Sequence, residues 1–228
     1  MTLHVRSLCP VLFIVLLAAS PLAAAQQTTP SHTKPSAGIP ARNIEIHFDP
    51  QSTQIHFRVG SLMRDVRGTF QFKGGAVAID PDSTLAQGEL LVDATTGHTG
   101  NAARDKQMQE EALETGRYPS IFFHAEHLRG QVPQKDGSSD VIAEGMLNIH
   151  GADHPMQMKV HLVRVGKALS ATTRFTVPYV EWGMKNPRGS FLHLSKTAVV
   201  DVSAKGTIRT VATINGTQSN DSDEEGPG

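Results

Sequence analysis

The residues best equipped for chemistry in this sequence are its histidines, ten of which follow residue 25. The tightest cluster is His124-Ala125-Glu126-His127. On a helix such a pair would share a face. Here it follows Ile121-Phe122-Phe123, which reads as a strand, where side chains three apart point to opposite faces. His150 and His154 flank the turn-like Gly151-Ala152-Asp153 and could converge. A catalytic zinc still needs about three placed ligands, so no metal site is expected. The only cysteine, Cys9, lies in the first 25 residues. A mature chain without it has no thiol nucleophile, disulfide or thiolate metal site.

Other catalytic signatures are missing as well. Ser, His and acidic residues occur, but in no local pattern that singles out a triad. Phosphate loops and nucleophile elbows are absent. No catalytic residue and no cofactor is therefore expected. The formal charge is -1 and aromatics make up 5% of the chain. That gives neither a basic footprint nor a stacking platform, so nucleic acid is not an expected partner. Arg104-Asp105 opens a helix-like segment. A structural network at the helix start is the preferred reading of this pair; a head-group contact for Arg104 is the other.

The elements that must position these residues are mostly strands. Ile55, Phe57 and Val59 alternate with polar residues, as do Val66, Gly68, Phe70 and Phe72. Val77 and Ile79 follow a Gly74-Gly75 turn signal. Met156 to Leu162, Ala171 to Val177 and Val200 to Ala204 repeat the pattern. Strict alternation argues for strands with one buried face. About eight such runs suit a sandwich or a closed antiparallel barrel. Residues 101–115 instead carry good helix formers. Asn101 is placed as an N-cap, and Gly116 and Pro119 as a stop.

The ends of the chain read differently. Residues 1–25 hold a short basic start, an apolar run over 11–19 and Ala23-Ala24-Ala25, the layout of a signal peptide. The run is too short to span a bilayer, which takes about 20 residues. Cleavage would remove one arginine and no acid, leaving a net charge of -2. Residues 26–42, with prolines at 30, 35 and 40, read as a tether. Residues 211–228 read as a disordered acidic tail. Residues 43–210 are left as one β domain.

Phe57, Phe70, Phe72, Phe122, Phe123, Phe175 and Phe191, with Met146, Leu147 and Trp182, supply its apolar surface. Composition alone favours a filled core over a ligand-holding interior.

Four segments, in order, resemble the YceI-like, lipid/polyisoprenoid-binding domain family. The first is Asp49-Pro50-Gln51-Ser52 with Ile55-His56-Phe57-Arg58-Val59 and Val66-Arg67-Gly68-Thr69-Phe70. The second is Arg104-Asp105 with Arg117-Tyr118-Pro119-Ser120-Ile121-Phe122-Phe123. Glu144 to Gly151, with Pro155-Met156-Gln157-Met158, makes the third. Trp182-Gly183-Met184, ahead of a terminal strand near 199–202, closes the series. The chain resembles a divergent member, with Gly60-Ser61 where the family often has a histidine and Glu110-Glu111-Ala112-Leu113-Glu114 in place of an acidic, Phe-rich stretch.

The resemblance implies a lipocalin-like β-barrel of about eight strands with one packed helix. It implies a cavity for an isoprenoid, polyprenyl or quinone-like, or another long-chain amphiphile, and a periplasmic or secreted location. The residues expected to line that cavity are Phe57, Val59, Phe70, Met108, Phe123, Leu147, Phe175 and Trp182. The sequence leaves monomer and dimer open. The alternatives are a structural or stress-response envelope protein with a filled core, and a metal-dependent enzyme using the histidines. A membrane-embedded barrel is disfavoured by the charges Arg58, Arg67, Lys73 and Lys159 within strands.

Overall fold

The structure is a computed structural model, and it describes residues 42–62, 64–186 and 194–212. The leader, nearly all of the tether, nearly all of the acidic tail and Phe191 lie outside these residues. Among the described residues nine strands form: β1 (Arg42–Phe48), β2 (Gln54–Ser61), β3 (Val66–Ile79), β4 (Leu85–His98), β5 (Ser120–Arg129), β6 (Gly137–Ile149), β7 (Ala152–Val165), β8 (Ala168–Val177) and β9 (Leu194–Ala212). One helix, α1 (Ala102–Gln107), runs directly into a π-helical turn over Met108–Ala112.

All pairings are antiparallel, and they close into a ring. β1 and β2 together make one stave of it. β2 lies between the first part of β3 and the first part of β9. β1 lies between the later parts of the same two strands. The barrel therefore has eight staves built from nine strands. Closure removes the unpaired edge that an open sheet would expose.

The corner between β1 and β2 explains the Asp49-Pro50-Gln51-Ser52 signal. The Asp49 carboxylate accepts from Ser52 Oγ and from the Gln51 amide (3.2 Å). Thr53 Oγ1 donates to the Asp49 carbonyl at 2.8 Å. The Ser52 hydroxyl, with the Gln51 amide, holds the Asp49 pKa below its ordinary value. Along β3, Gly74 and Gly75 take φ of +135° and +151° where the register with β4 shifts. Glycine adopts such φ without a Cβ penalty, and the bulge bends the long strand around the barrel.

The alternating runs face as their pattern requires. Ile55, Phe57, Val66, Phe72, Val77, Ile79, Met158, Leu162, Ala171, Val177 and Ala204 are buried on the inside. Arg58, Arg67, Lys73 and Lys159 are exposed on the outer wall. Three of them are ion-paired there: Arg58 with Asp65 (3.2 Å), Lys73 with Asp93 (3.0 Å) and Lys159 with Asp140 (3.7 Å). Charges at these positions run against the apolar band that a lipid-immersed barrel presents.

At one point strict alternation misleads. The register of β5 against β6 shifts between Ala125 and His127. Ala125 and Leu128 consequently both pack on the core. The parity argument that separates His124 from His127 therefore fails at this bulge. His124 pairs outside with Glu89 at 3.3 Å.

Candidate functional site

The barrel interior divides into two halves with different packing. At the end where β3 finishes and β4 begins it is filled. Ile44, Ile46, Val77, Ile79, Ala86, Val132, Val141, Leu162, Leu169 and Ile208 form one buried cluster. These are small and branched aliphatic residues, which interdigitate without leaving room. The other half carries a second buried cluster, with Phe123, Leu147, Met158 and Tyr179 among its members, and these larger side chains border an open space. It holds an apolar cavity of about 300 Å³, within the size range of small-molecule sites. On β9 its wall runs from Leu194 to Ala204, roughly 30 Å of strand at about 3.3 Å per residue. The space is elongated along the barrel.

Seven of the eight residues expected at a tunnel wall line this cavity. They are Phe57, Val59, Phe70, Met108, Phe123, Leu147 and Phe175. Phe57 and Phe70 pack against each other across β2 and β3, with ring centroids 5.1 Å apart and planes tilted by 35°. That separation falls within the range of about 4.5–7 Å over which aromatic rings attract one another. Trp182 is placed elsewhere: its ring stacks on His154, centroids 4.0 Å apart and planes within 6°.

Sequence reasoning missed two small residues that shape the wall. A Cβ on Gly68 would lie 2.4 Å from Phe57 Cζ, and one on Gly97 would lie 2.7 Å from both Met108 Cε and Phe70 Cε1. The missing side chains make the space in which the two phenylalanines and the methionine sit. Alternation marks Gly68 as inward-facing but does not say that a ring fills its place.

The helical segment between β4 and β5 belongs to the hollow end. Asn101 caps it, its side chain accepting from the Arg104 amide at 3.0 Å. The segment read as one helix over 101–115 is α-helical only to Gln107. The wider π turn that follows helps bring Met108, Ala112 and Leu113 to the cavity. Gln109 Nε2 ties this turn to the wall by donating to the carbonyls of Thr95 (3.0 Å) and Gly97 (3.2 Å).

Asp105 fastens the start of the helix. Its carboxylate accepts from the Thr99 amide (2.7 Å) and the Thr99 hydroxyl (2.6 Å), and pairs with His98 Nδ1 (2.8 Å). This is the helix-start network expected of Arg104-Asp105, with Asp105 as its hub. Burial pushes the Asp105 pKa up, but the hydrogen bonds from Thr99 and His98 outweigh it, and the net shift is downward. The stability this group contributes is complete above the ordinary aspartate range near 3.9 and fades as pH falls through the lowered folded value. Asp105→Ala should cost about 1–2 kcal/mol in urea unfolding at neutral pH, because it leaves the part-buried Thr99 donors unpaired. The difference from wild type should shrink as pH falls through the lowered folded value.

The two histidines of the β6–β7 turn region are drawn to different neighbours. His150 sits with its ring 4.7 Å from Tyr118 and its Nε2 3.7 Å from the Glu114 carboxylate. Glu114 also lies 3.7 Å from Lys185 Nζ. His154 is stacked on Trp182, and its Nε2 is buried without a hydrogen-bond partner. Among the described residues, no group of three His, Cys, Asp or Glu side chains could hold a metal ion.

Burial holds the His154 pKa below its ordinary value of 6.5, against a smaller upward pull from Asp153. Folding therefore favours the neutral ring. Its contribution is present above 6.5 and is lost as pH falls through the lowered folded value. Trp182 is the chain's only tryptophan. Its fluorescence should change on acidification with a midpoint below 6.5, and His154→Gln should remove that transition.

A closed antiparallel barrel with an elongated apolar chamber at one end defines the class: small β-barrels with an internal cavity. Within that class, the chain belongs to the YceI-like domain family, whose model matches residues 47–214. Among solved structures, Burkholderia cenocepacia BcnA is similar at 13% identity and a TM-score of 0.59, over 69% of this chain and 98% of that one. A polyisoprenoid binding domain from Saccharophagus degradans is similar at 14% identity and a TM-score of 0.56, over 74% of this chain and 99% of that one. No curated protein matches the sequence.

Proposed function

We propose that this protein is an exported binding protein that sequesters or carries an isoprenoid, polyprenyl or quinone-like, in the hollow half of its barrel. The observation that carries the reading is the cavity itself. It is elongated, and its wall is almost wholly apolar, with Phe57, Phe70, Phe123 and Phe175 among the lining residues. Each methylene moved from water into such a wall is worth about 0.8 kcal/mol. Several isoprene units then outweigh the ordering costs of binding. The resemblance in fold to the Saccharophagus degradans polyisoprenoid binding domain supports the same ligand class. Export is supported by the leader-like residues 1–25. Among the described residues no helix is long and apolar enough to cross a membrane, and the charged outer wall favours a water-exposed barrel.

We read the protein as a carrier and not as an enzyme, because the wall offers contact surface with few groups able to transfer protons or electrons. Phe57, Val59, Phe70, Met108, Phe123, Leu147 and Phe175 are the proposed contacts. Trp182 acts from behind the wall, bracing the segment after β8. Titration with geranylgeraniol, followed by calorimetry, tests the reading. It predicts saturable binding at about one molecule per chain with a negative heat-capacity change. A folded protein that takes up no prenol would instead favour the filled-core structural role.

A further inference from the structure

We infer that the β2–β3 hairpin is a docking surface for an anionic lipid bilayer, at which the barrel loads or unloads; its purpose, though not its shape, rests on the carrier reading. The hairpin stands at the rim of the chamber. Val59 of β2 lines the cavity, and Ser61, the last residue of β2, is paired with Leu194 of β9, which lines it too. The next residue, Leu62, is 80% exposed, the most exposed large apolar side chain among the described residues. The turn that carries it is tied down. Ser61 Oγ donates to the Arg64 carbonyl (2.6 Å) and accepts from the Arg64 amide (3.1 Å).

Arginines flank this leucine. Arg64 follows it in the turn, and Arg58 and Arg67 lie directly opposite each other on the outer faces of β2 and β3. Like charges so placed repel. Asp65 relieves Arg58 at 3.2 Å, whereas the exposed guanidinium groups of Arg64 and Arg67 have no acceptor among the described residues. The patch continues across β9 to β8 as an open groove of about 640 Å³, with Arg58, Arg67, Arg174, His56 and His98 in its lining. Asp201 in that groove is taken by Arg174. Four arginines thus stand against two aspartates, on a chain whose formal charge is -1. Acids of the hollow end lie on the helical segment instead, where Glu110 pairs with Lys106 and Glu114 with Lys185. One exposed leucine is ordinary on a protein surface. Here it tips a cationic hairpin beside an apolar chamber, and an anionic bilayer satisfies both features. Head groups take the guanidinium groups, and Leu62 enters the acyl boundary beneath them.

The test is cosedimentation of the protein, purified from its own cells and stripped of ligand, with phosphatidylcholine vesicles with and without phosphatidylglycerol. Binding should need phosphatidylglycerol and fall as salt rises. Arg64→Gln combined with Arg67→Gln should weaken it about twentyfold, at about fivefold for each arginine near an anionic surface. Leu62→Ser should weaken it about fivefold, through lost apolar burial. Lys205→Gln combined with Arg209→Gln removes the same charge from the outer wall at the filled end, and should leave binding within about twofold of wild type. All these variants should still take up geranylgeraniol. Equal binding to both kinds of vesicle, or an equal loss in the Lys205 and Arg209 pair, would overturn the inference. Arginine-dependent binding that ignores Leu62→Ser would mean a purely anionic partner, such as an acidic protein, and would overturn it as well. Uptake of geranylgeraniol without vesicle binding would strike this inference alone. Vesicle binding as described without uptake would strike the carrier reading and leave the surface standing.

Discussion

Replacing Phe70 or Phe175 by Asp should lower the affinity for geranylgeraniol by at least about a hundredfold, because an apolar guest would have to strip water from a carboxylate. The two rings lie on different staves, β3 and β8, and both border the cavity. Neither is fully buried, since each faces the open chamber. In the empty protein an introduced carboxylate can therefore stay hydrated, provided the chamber admits water, and the barrel should still fold. The control is Phe122→Asp. Phe122 shares its face of β5 with His124, on which it stacks with ring centroids 6.0 Å apart, and it does not line the cavity. Its loss should leave uptake within about twofold of wild type, because it does not border the cavity. If Phe70→Asp and Phe175→Asp both fold and bind as wild type does, the wall is wrongly assigned.

The second large effect concerns stability and inverts the usual order of side-chain size. Leu169→Ala should cost about 3–5 kcal/mol, because Leu169 lies in the filled half and its removal opens a new cavity there. Phe175→Ala removes a larger group yet should cost only about 1–2 kcal/mol, mostly lost apolar contact, since the space beside it is already open. For a domain of this size that difference amounts to roughly 5–10 °C in melting temperature. Urea unfolding of the two variants measures it directly. A cost for Phe175→Ala equal to that of Leu169→Ala would mean that the hollow half is packed.

Much of the architecture was legible in the sequence because alternation is a local signal. Ile55-Phe57-Val59 and Met156-Met158-Val160-Leu162 needed no tertiary information to be read as strands with one inner face. The Asn101 cap was equally local. What the pattern could not carry was non-local. That β1 and β2 share one stave follows from their common neighbours β3 and β9, more than a hundred residues apart in the case of β9. The bulge after Ala125 has no composition of its own, so the phases of His124 and His127 were misjudged. The choice between a filled core and a cavity was posed as one question for the whole barrel. The structure divides it by position: aliphatic residues close one half, and phenylalanines leave the other open. Six of the seven wall residues lie on strands, where alternation groups them with their neighbours on one face; Met108 lies in the helical segment, where no strand parity applies. Trp182, also expected at the wall, stacks on His154, a partner set by how the segment after β8 folds back.

The most direct measurement is native mass spectrometry of the protein purified from its own cells without detergent, followed by organic extraction of whatever is bound. The account predicts a defined isoprenoid at about one per chain, released on unfolding and absent from Phe175→Asp. A protein that is bare as isolated, and that stays bare when isoprenoids are added, would contradict it, leaving a YceI-like barrel whose chamber serves no ligand of this class.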